Sequence, residues 1–181
     1  MKKIIALALM LCPAWIAYTQ QAVNIIPQPL SVVVEDGKLM LNEDFKIVDK
    51  AKLFTNEISI FNDQLKKAFD FSFKTAKKSK QSIQLVFDDQ LAHPEAYTLT
   101  ITTKGIIITG KPAGVFYGLQ SLYQLMVNTR EAQQKIFALP VLRIQDQPTF
   151  QWRGMHLDVS RHFFNKTEVM RYLDYLALHK L

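Results

Sequence analysis

The sequence predicts an α+β domain, an antiparallel sheet with two covering helices, followed by one strand–turn–helix unit. Three observations carry this. Short alternating runs, clearest from Tyr97 to Thr109, have the period of half-buried strands. Two stretches, one from Phe54 and one from Val115, place apolar residues at spacings of three and four. Strands and helices follow one another in mixed order, which suits helices laid on one face of a sheet.

The chain starts with Met1-Lys2-Lys3 and the apolar run IIALALMLCPAWIA. A basic start and an apolar stretch too short to span a bilayer read as a secretory signal over residues 1–21, cleaved between Ala17 and Ala22. Cys12 is the only cysteine. Leu11 before it is a poor fit to a lipid-anchor signal, so the expectation is an exported protein, periplasmic or extracellular, without an anchor. If the leader is removed, no thiol remains, which suits an oxidising compartment.

Asn24 to Leu30, NIIPQPL, should be extended, because each proline pushes its predecessor out of the helical region. Leu30, Val32 and Val34 alternate up to a turn at Glu35-Asp36-Gly37, and Leu39 and Leu41 resume beyond it. Phe45 and Ile47 suggest another short strand. Phe54, Ile58, Phe61, Leu65 and Ala68 then form the stripe of a helix about four turns long. A lysine-rich loop (Lys74, Lys77, Lys78, Lys80) precedes a strand at Ile83, Leu85 and Phe87. Tyr97 to Thr109 reads as a hairpin turning at Lys104-Gly105. Gly110-Lys111-Pro112 ends it and opens a helix with Val115, Leu119, Leu122 and Met126 in one stripe. Leu139 to Ile144 is a further strand, and Gln147-Pro148 a linker. The domain boundaries are therefore 22–148 for the α+β domain and 149–181 for the appended unit.

That unit, FQWRGMHLDVSRHFFNKTEVMRYLDYLALHKL, alternates from Gln151 to Val159 as a strand. Asn165, three residues before Glu168, is placed to cap a helix, along which Val169, Leu173, Leu176, Ala177 and Leu181 form the apolar stripe. Asp158, Arg161 and His162 stand where the strand gives way to the turn, the strand end at which α/β folds gather their chemistry.

Composition excludes some roles. Lys and Arg outnumber Asp and Glu by 22 to 16, but two of those lysines are in the leader and the rest are scattered. Nucleic-acid binding needs a concentrated basic stripe with stacking aromatics, so no nucleic-acid partner is expected. His156, Asp158 and His162 offer zinc-type ligands, yet no helix sets two of them one turn apart. No metal and no cofactor are expected.

The run WRGMHLDVSRHFF resembles the opening strand of the catalytic barrel in the family 20 glycoside hydrolases, the β-N-acetylhexosaminidases. The matching residues are Arg153, Gly154, Asp158, Ser160, Arg161, His162 and Phe163. The helix ending in His179-Lys180-Leu181 is similar to theirs too. So are IIPQP, EAYTLTI (Glu95 to Ile101) and GVFYGLQSLYQL (Gly114 to Leu125), which resemble the domain preceding that barrel. Thr149 departs from the pattern, since arginine is commoner there.

The resemblance implies that residues 149–181 are the first βα unit of a TIM barrel and that the chain stops short of the about 250 residues a closed barrel needs. It implies that Arg153 donates to ring hydroxyls of a terminal N-acetylglucosamine or N-acetylgalactosamine, work that suits a planar guanidinium fork. Asp158, Arg161 and His162 would form a supporting network. The catalytic Asp-Glu pair of the family would lie beyond Leu181; Glu35-Asp36, Glu43-Asp44 and Asp88-Asp89 sit in no such motif. The expected partner is a glycan, and its cleavage would use the substrate's own acetamido group. The alternative is a non-catalytic glycan-binding or scaffold domain, or another hydrolase family with a similar front domain.

Overall fold

The computed structural model describes residues 23–129 and 135–181; the leader expectation lies outside them. In chain order the elements are β1 (Ser31–Leu41), β2 (Lys46–Asp49), α1 (Thr55–Phe69), β3 (Lys74–Thr75), β4 (Ser82–Phe87), β5 (Tyr97–Thr102), β6 (Gly105–Gly110), α2 (Pro112–Asn128), β7 (Phe137–Asp146) and α3 (Lys166–Leu178). The seven strands form one sheet in the order β1-β7-β5-β6-β4-β2-β3.

The sheet is mixed, not antiparallel as expected. β1, β7, β5 and β6 pair antiparallel, while β6, β4, β2 and β3 run parallel to one another. The cause is α1. It carries the chain from β2 across to β3 and β4, and a helical crossover brings the next strand back in the same direction.

Two smaller differences have local causes. The residues around Gly37 do not turn the chain. Both halves of β1 pair with β7, and the extra residues between Val34 and Lys38 form a bulge opposite Val141. Gly37 takes φ +113°, open to glycine at no cost, and Pro140, which has no N–H, stands beside the irregularity. In the hairpin Thr102 pairs with Gly105, so Thr103 and Lys104 form the turn, one residue earlier than expected.

The helices cover one face. Along β5, Tyr97, Leu99 and Ile101 are buried and the threonines between them less so. α2 lies on β5, β6 and β7, and α1 packs on α2. The stripes read from the sequence are the buried ones: Ile58, Phe61 and Leu65 on α1, and Val115, Leu119, Leu122 and Met126 on α2. Beneath α1 a set of rings, Phe61, Phe69, Phe71, Phe73 and Phe137, packs with centroids 4.9–6.3 Å apart.

Two glycines let α2 approach. A Cβ on Gly114 would stand 2.1 Å from the Ala96 carbonyl oxygen, and one on Gly118 would stand 2.5 Å from an Ile108 methyl. Helix propensity alone favours alanine at position 114 by about 1 kcal/mol. Overlap with rigid backbone outweighs that, so Gly114→Ala should destabilise the domain by about 1–3 kcal/mol in urea unfolding.

Beyond β7 the expected strand from Gln151 to Val159 is absent: the segment forms no ladder. Alternation sets which face a side chain takes, but a strand also needs a neighbour to pair with, and none of the described strands runs beside it. α3 is present with its capping box. Asn165 accepts from the Glu168 N–H at 3.0 Å, and Glu168 accepts from the Asn165 N–H at 2.8 Å. No α3 residue is buried. Trp152 and Phe163 are 93% and 82% exposed, and Met155, Val159, Met170 and Leu173 are also open.

Candidate functional site

The two ends of the segment 153–180 meet the same end of the sheet. Tyr97 opens β5 and Asp146 closes β7, and the two are directly paired. Glu95 lies just before β5, and Tyr117 is on α2. Together with Arg153 and Lys180 these residues line a cavity of about 260 Å³.

Arg153 is committed to protein partners. Its Nε donates to the Lys180 carbonyl at 2.9 Å and Nη1 to the Phe150 carbonyl at 2.7 Å. Nη2 donates to Glu95 Oε2 at 2.6 Å and to the Tyr117 hydroxyl at 3.2 Å. Burial works against the guanidinium charge, but the hydrogen bond and charge of Glu95 more than offset it and hold the pKa above its ordinary value. Burial, and then the Glu95 charge, push the Tyr117 hydroxyl up.

Lys180 closes the second cluster. α3 ends in a Schellman turn, Lys180 N–H donating to the Ala177 carbonyl and Leu181 N–H to the Leu176 carbonyl. This puts Lys180 in the left-handed region at φ +59°, a position glycine usually takes and one that costs a side chain roughly 1–2 kcal/mol. The cost is offset by where the side chain goes. Its ammonium is buried, donating to Asp146 Oδ2 at 2.9 Å and the Tyr97 hydroxyl at 2.8 Å. Tyr97 donates to Asp146 Oδ2 at 2.9 Å, which leaves Ser121 Oγ, 2.6 Å away, as a donor to it. Asp146 Oδ1 accepts from the Leu30 N–H. Gln124 on α2 adds a bond to the Leu178 carbonyl at 2.9 Å.

This cluster gives a pH dependence. Burial, reinforced by the Asp146 charge, pushes the Tyr97 hydroxyl far above its ordinary 10.0. A group raised on folding contributes its full stability below the unfolded value and loses it as pH climbs past it. Burial lowers the Lys180 ammonium, with Asp146 opposing, so its contribution rises with pH in the same region. Tyr97 carries the larger shift, so unfolding free energy should fall above about pH 10. Tyr97→Phe should flatten that fall when denaturation is followed against pH.

The other candidates sit within the segment, in the turn that precedes α3. Asp158 Oδ1 accepts from the Ser160 N–H at 2.8 Å and the Arg161 N–H at 3.4 Å, a turn closed on its own side chain. Arg161 Nε is 3.8 Å from Asp158 Oδ2, and its side chain is 92% exposed. His162 lies edge-on to Phe164 at 4.9 Å. The structure thus brings Asp158 and Arg161 together and leaves His162 and Arg153 outside that pair. Among the described residues no cluster of three His, Cys, Asp or Glu could hold a metal.

Sequence reasoning missed Glu95, Tyr97, Tyr117, Asp146 and Lys180. Glu95, Tyr97, Tyr117 and Lys180 fall in stretches that carry the resemblance, but no local spacing joins them into a site.

Comparison with known proteins decides the family. The pattern of glycosyl hydrolase family 20, domain 2, matches residues 22–147, and that of the glycosyl hydrolase family 20 catalytic domain matches residues 150–181. The chain belongs to glycosyl hydrolase family 20. Among curated family 20 relatives, it is 29% identical to a beta-hexosaminidase of Porphyromonas gingivalis over 169 residues, covering 89% of this chain and 22% of that protein. It is 32% identical over 163 residues to the beta-hexosaminidase of Vibrio vulnificus, covering 87% and 18%. The chain therefore spans about a fifth of the length of these relatives.

Family 20 structures agree in fold. An exo beta-N-acetylglucosaminidase from Vibrio harveyi in complex with N-acetylglucosamine superposes with a TM-score of 0.79 at 26% identity, covering 87% of this chain and 24% of that one. A beta-N-acetylhexosaminidase from Streptomyces coelicolor gives 0.76 at 32%, covering 86% and 33%. The sheet domain and the segment after it are thus both family 20 parts, in the family's order.

Proposed function

We propose that this chain is the N-terminal portion of an exported β-N-acetylhexosaminidase that removes terminal N-acetylglucosamine or N-acetylgalactosamine from glycans. One observation carries the reading: the family's domain 2, matched over residues 22–147, is followed by the start of its catalytic domain from residue 150. In this reading residues 149–181 are the first barrel unit, and further units cover the apolar side chains now open at Trp152, Met155, Val159 and Leu173. Residues 1–21 are its export signal.

The chemistry proposed is substrate-assisted and retaining. A glutamic acid beyond Leu181 protonates the leaving oxygen. Its aspartate neighbour orients the substrate acetamido group, whose carbonyl attacks the anomeric carbon. The two arginines take different parts in this reading. The resemblance hands the sugar grip to Arg153, but four hydrogen bonds already occupy that guanidinium. Arg161 has free donors, stands beside a carboxylate that fixes its turn, and lies in the loop that leads into α3, the kind of position where barrel sites gather. The geometry therefore favours Arg161 for donating to ring hydroxyls, with Arg153 holding the segment to the sheet.

The test uses a protein in which a complete catalytic domain follows this chain. It should release nitrophenol from para-nitrophenyl N-acetyl-β-glucosaminide and leave para-nitrophenyl β-glucoside intact, because the glucoside lacks the internal nucleophile. Equal cleavage of both would rule out the acetamido route.

A further inference from the structure

Two acids at one end of the sheet receive two cations from the two ends of the appended unit. Glu95 takes Arg153 at 2.6 Å and Asp146 takes Lys180 at 2.9 Å. All four side chains are at least three-quarters covered. The two cations are also joined to each other, since Arg153 Nε donates to the Lys180 carbonyl. The start of the segment and the end of α3 thus form one closed base, seated on Glu95, Tyr97, Tyr117 and Asp146. No residue of α3 itself is fully buried. Beyond this base, the contacts of α3 with the sheet domain include Gln124 to the Leu178 carbonyl and an exposed Lys67–Asp174 pair at 3.4 Å. The turn carrying Asp158 and Arg161 bonds to itself.

We infer that the sheet domain is a baseplate for the first barrel unit: Glu95 and Asp146 are positioning residues that set where Asp158 and Arg161 stand, without touching substrate. The proposal rests on the hydrolase reading only for its catalytic consequence. The choice of residue types supports it. A buried ion pair fixes geometry through directed bonds, whereas an apolar contact of similar area tolerates sliding. Lys180 holds a backbone conformation that disfavours a side chain, and its ammonium reaches Asp146 from there.

Two measurements test it on separate footings. The first is amide hydrogen exchange on the 181-residue chain, comparing Glu95→Gln, Asp146→Asn and the double variant with the original. Relative to β5, β6 and α1, which report any loss of global stability, exchange over residues 166–181 should quicken about ten-fold more in each single variant and further in the double. Arg153→Met and Lys180→Met remove the same pairs from the unit's side and should act alike, which guards against a misfolded sheet variant. Unchanged exchange over 166–181 in the double variant would overturn the baseplate.

The second measurement uses the protein with its complete catalytic domain, well below the midpoint of unfolding. There Glu95→Gln should lower kcat/KM for para-nitrophenyl N-acetyl-β-glucosaminide about ten-fold, a loss that merely lowered stability would not produce in a fully folded sample. A ratio within two-fold of the original, with faster exchange, would reduce the pairs to stabilising contacts and overturn the positioning role. Absence of hydrolysis by the original protein would sink the hydrolase reading alone and leave the exchange result to decide the baseplate.

Discussion

Asp146→Ala should lower the unfolding free energy by about 3–5 kcal/mol, because it leaves the Lys180 ammonium buried without its counter-charge. The carboxylate accepts from Lys180, from the Tyr97 hydroxyl and from the exposed Leu30 N–H, so its removal also takes an acceptor from the buried Tyr97 hydroxyl. Both charged side chains are almost fully covered, so water can supply little compensation. The check is urea denaturation: the midpoint should drop with the slope unchanged. Lys180→Met in the Asp146→Ala background should restore part of the loss, since a buried pair replaced by apolar groups of similar volume is often neutral. A double variant no more stable than Asp146→Ala would show that the uncompensated charge is not the cause.

The alternating and helical periods made much of this fold legible. Leu99 and Ile101, Phe61 and Leu65, Leu119 and Leu122 are buried as their spacing requires, because a side chain's face is fixed by local geometry. Asn165 and Glu168 cap α3 for the same reason: both partners lie within one turn. Pairing direction was not legible. Nothing in Ile83, Leu85 or Phe87 tells a parallel neighbour from an antiparallel one; α1 decided it towards β2, and the β5–β6 hairpin towards β6. Gly37 looked like a turn and is a bulge, because the difference lies in β7, which is about a hundred residues away in sequence. The strand expected from Gln151 failed on the same ground, as alternation supplies no partner.

The site divides likewise. Asp158 and Arg161 are three residues apart, and their pairing could be anticipated. Arg153 finds Glu95 from 58 positions away, and Lys180 finds Tyr97 from 83. The resemblance marked Arg153 as worth attention, but only the fold reveals that its donors are occupied. Lys180 passed as one letter of a familiar helix ending, although its left-handed backbone is what turns the ammonium into the sheet domain.

Arg161→Ala is the second large effect, and it falls on catalysis. Two or more hydrogen bonds to sugar hydroxyls, at least one charge-assisted, should cost about 2–4 kcal/mol of transition-state binding when lost, roughly a thirty- to thousand-fold drop in kcat/KM. Stability should hold, because the Arg161 side chain is open to water and its contact with Asp158 is long. Arg153→Ala should reverse the balance, giving lower stability and a smaller kinetic effect.

The decisive measurement is kcat/KM on para-nitrophenyl N-acetyl-β-glucosaminide for these two variants, in a protein where the catalytic domain is complete and both remain folded. The larger loss is predicted for Arg161→Ala. A near-normal Arg161→Ala beside a crippled but stable Arg153→Ala would contradict the account, returning the sugar grip to the arginine that here holds the two parts of the chain together.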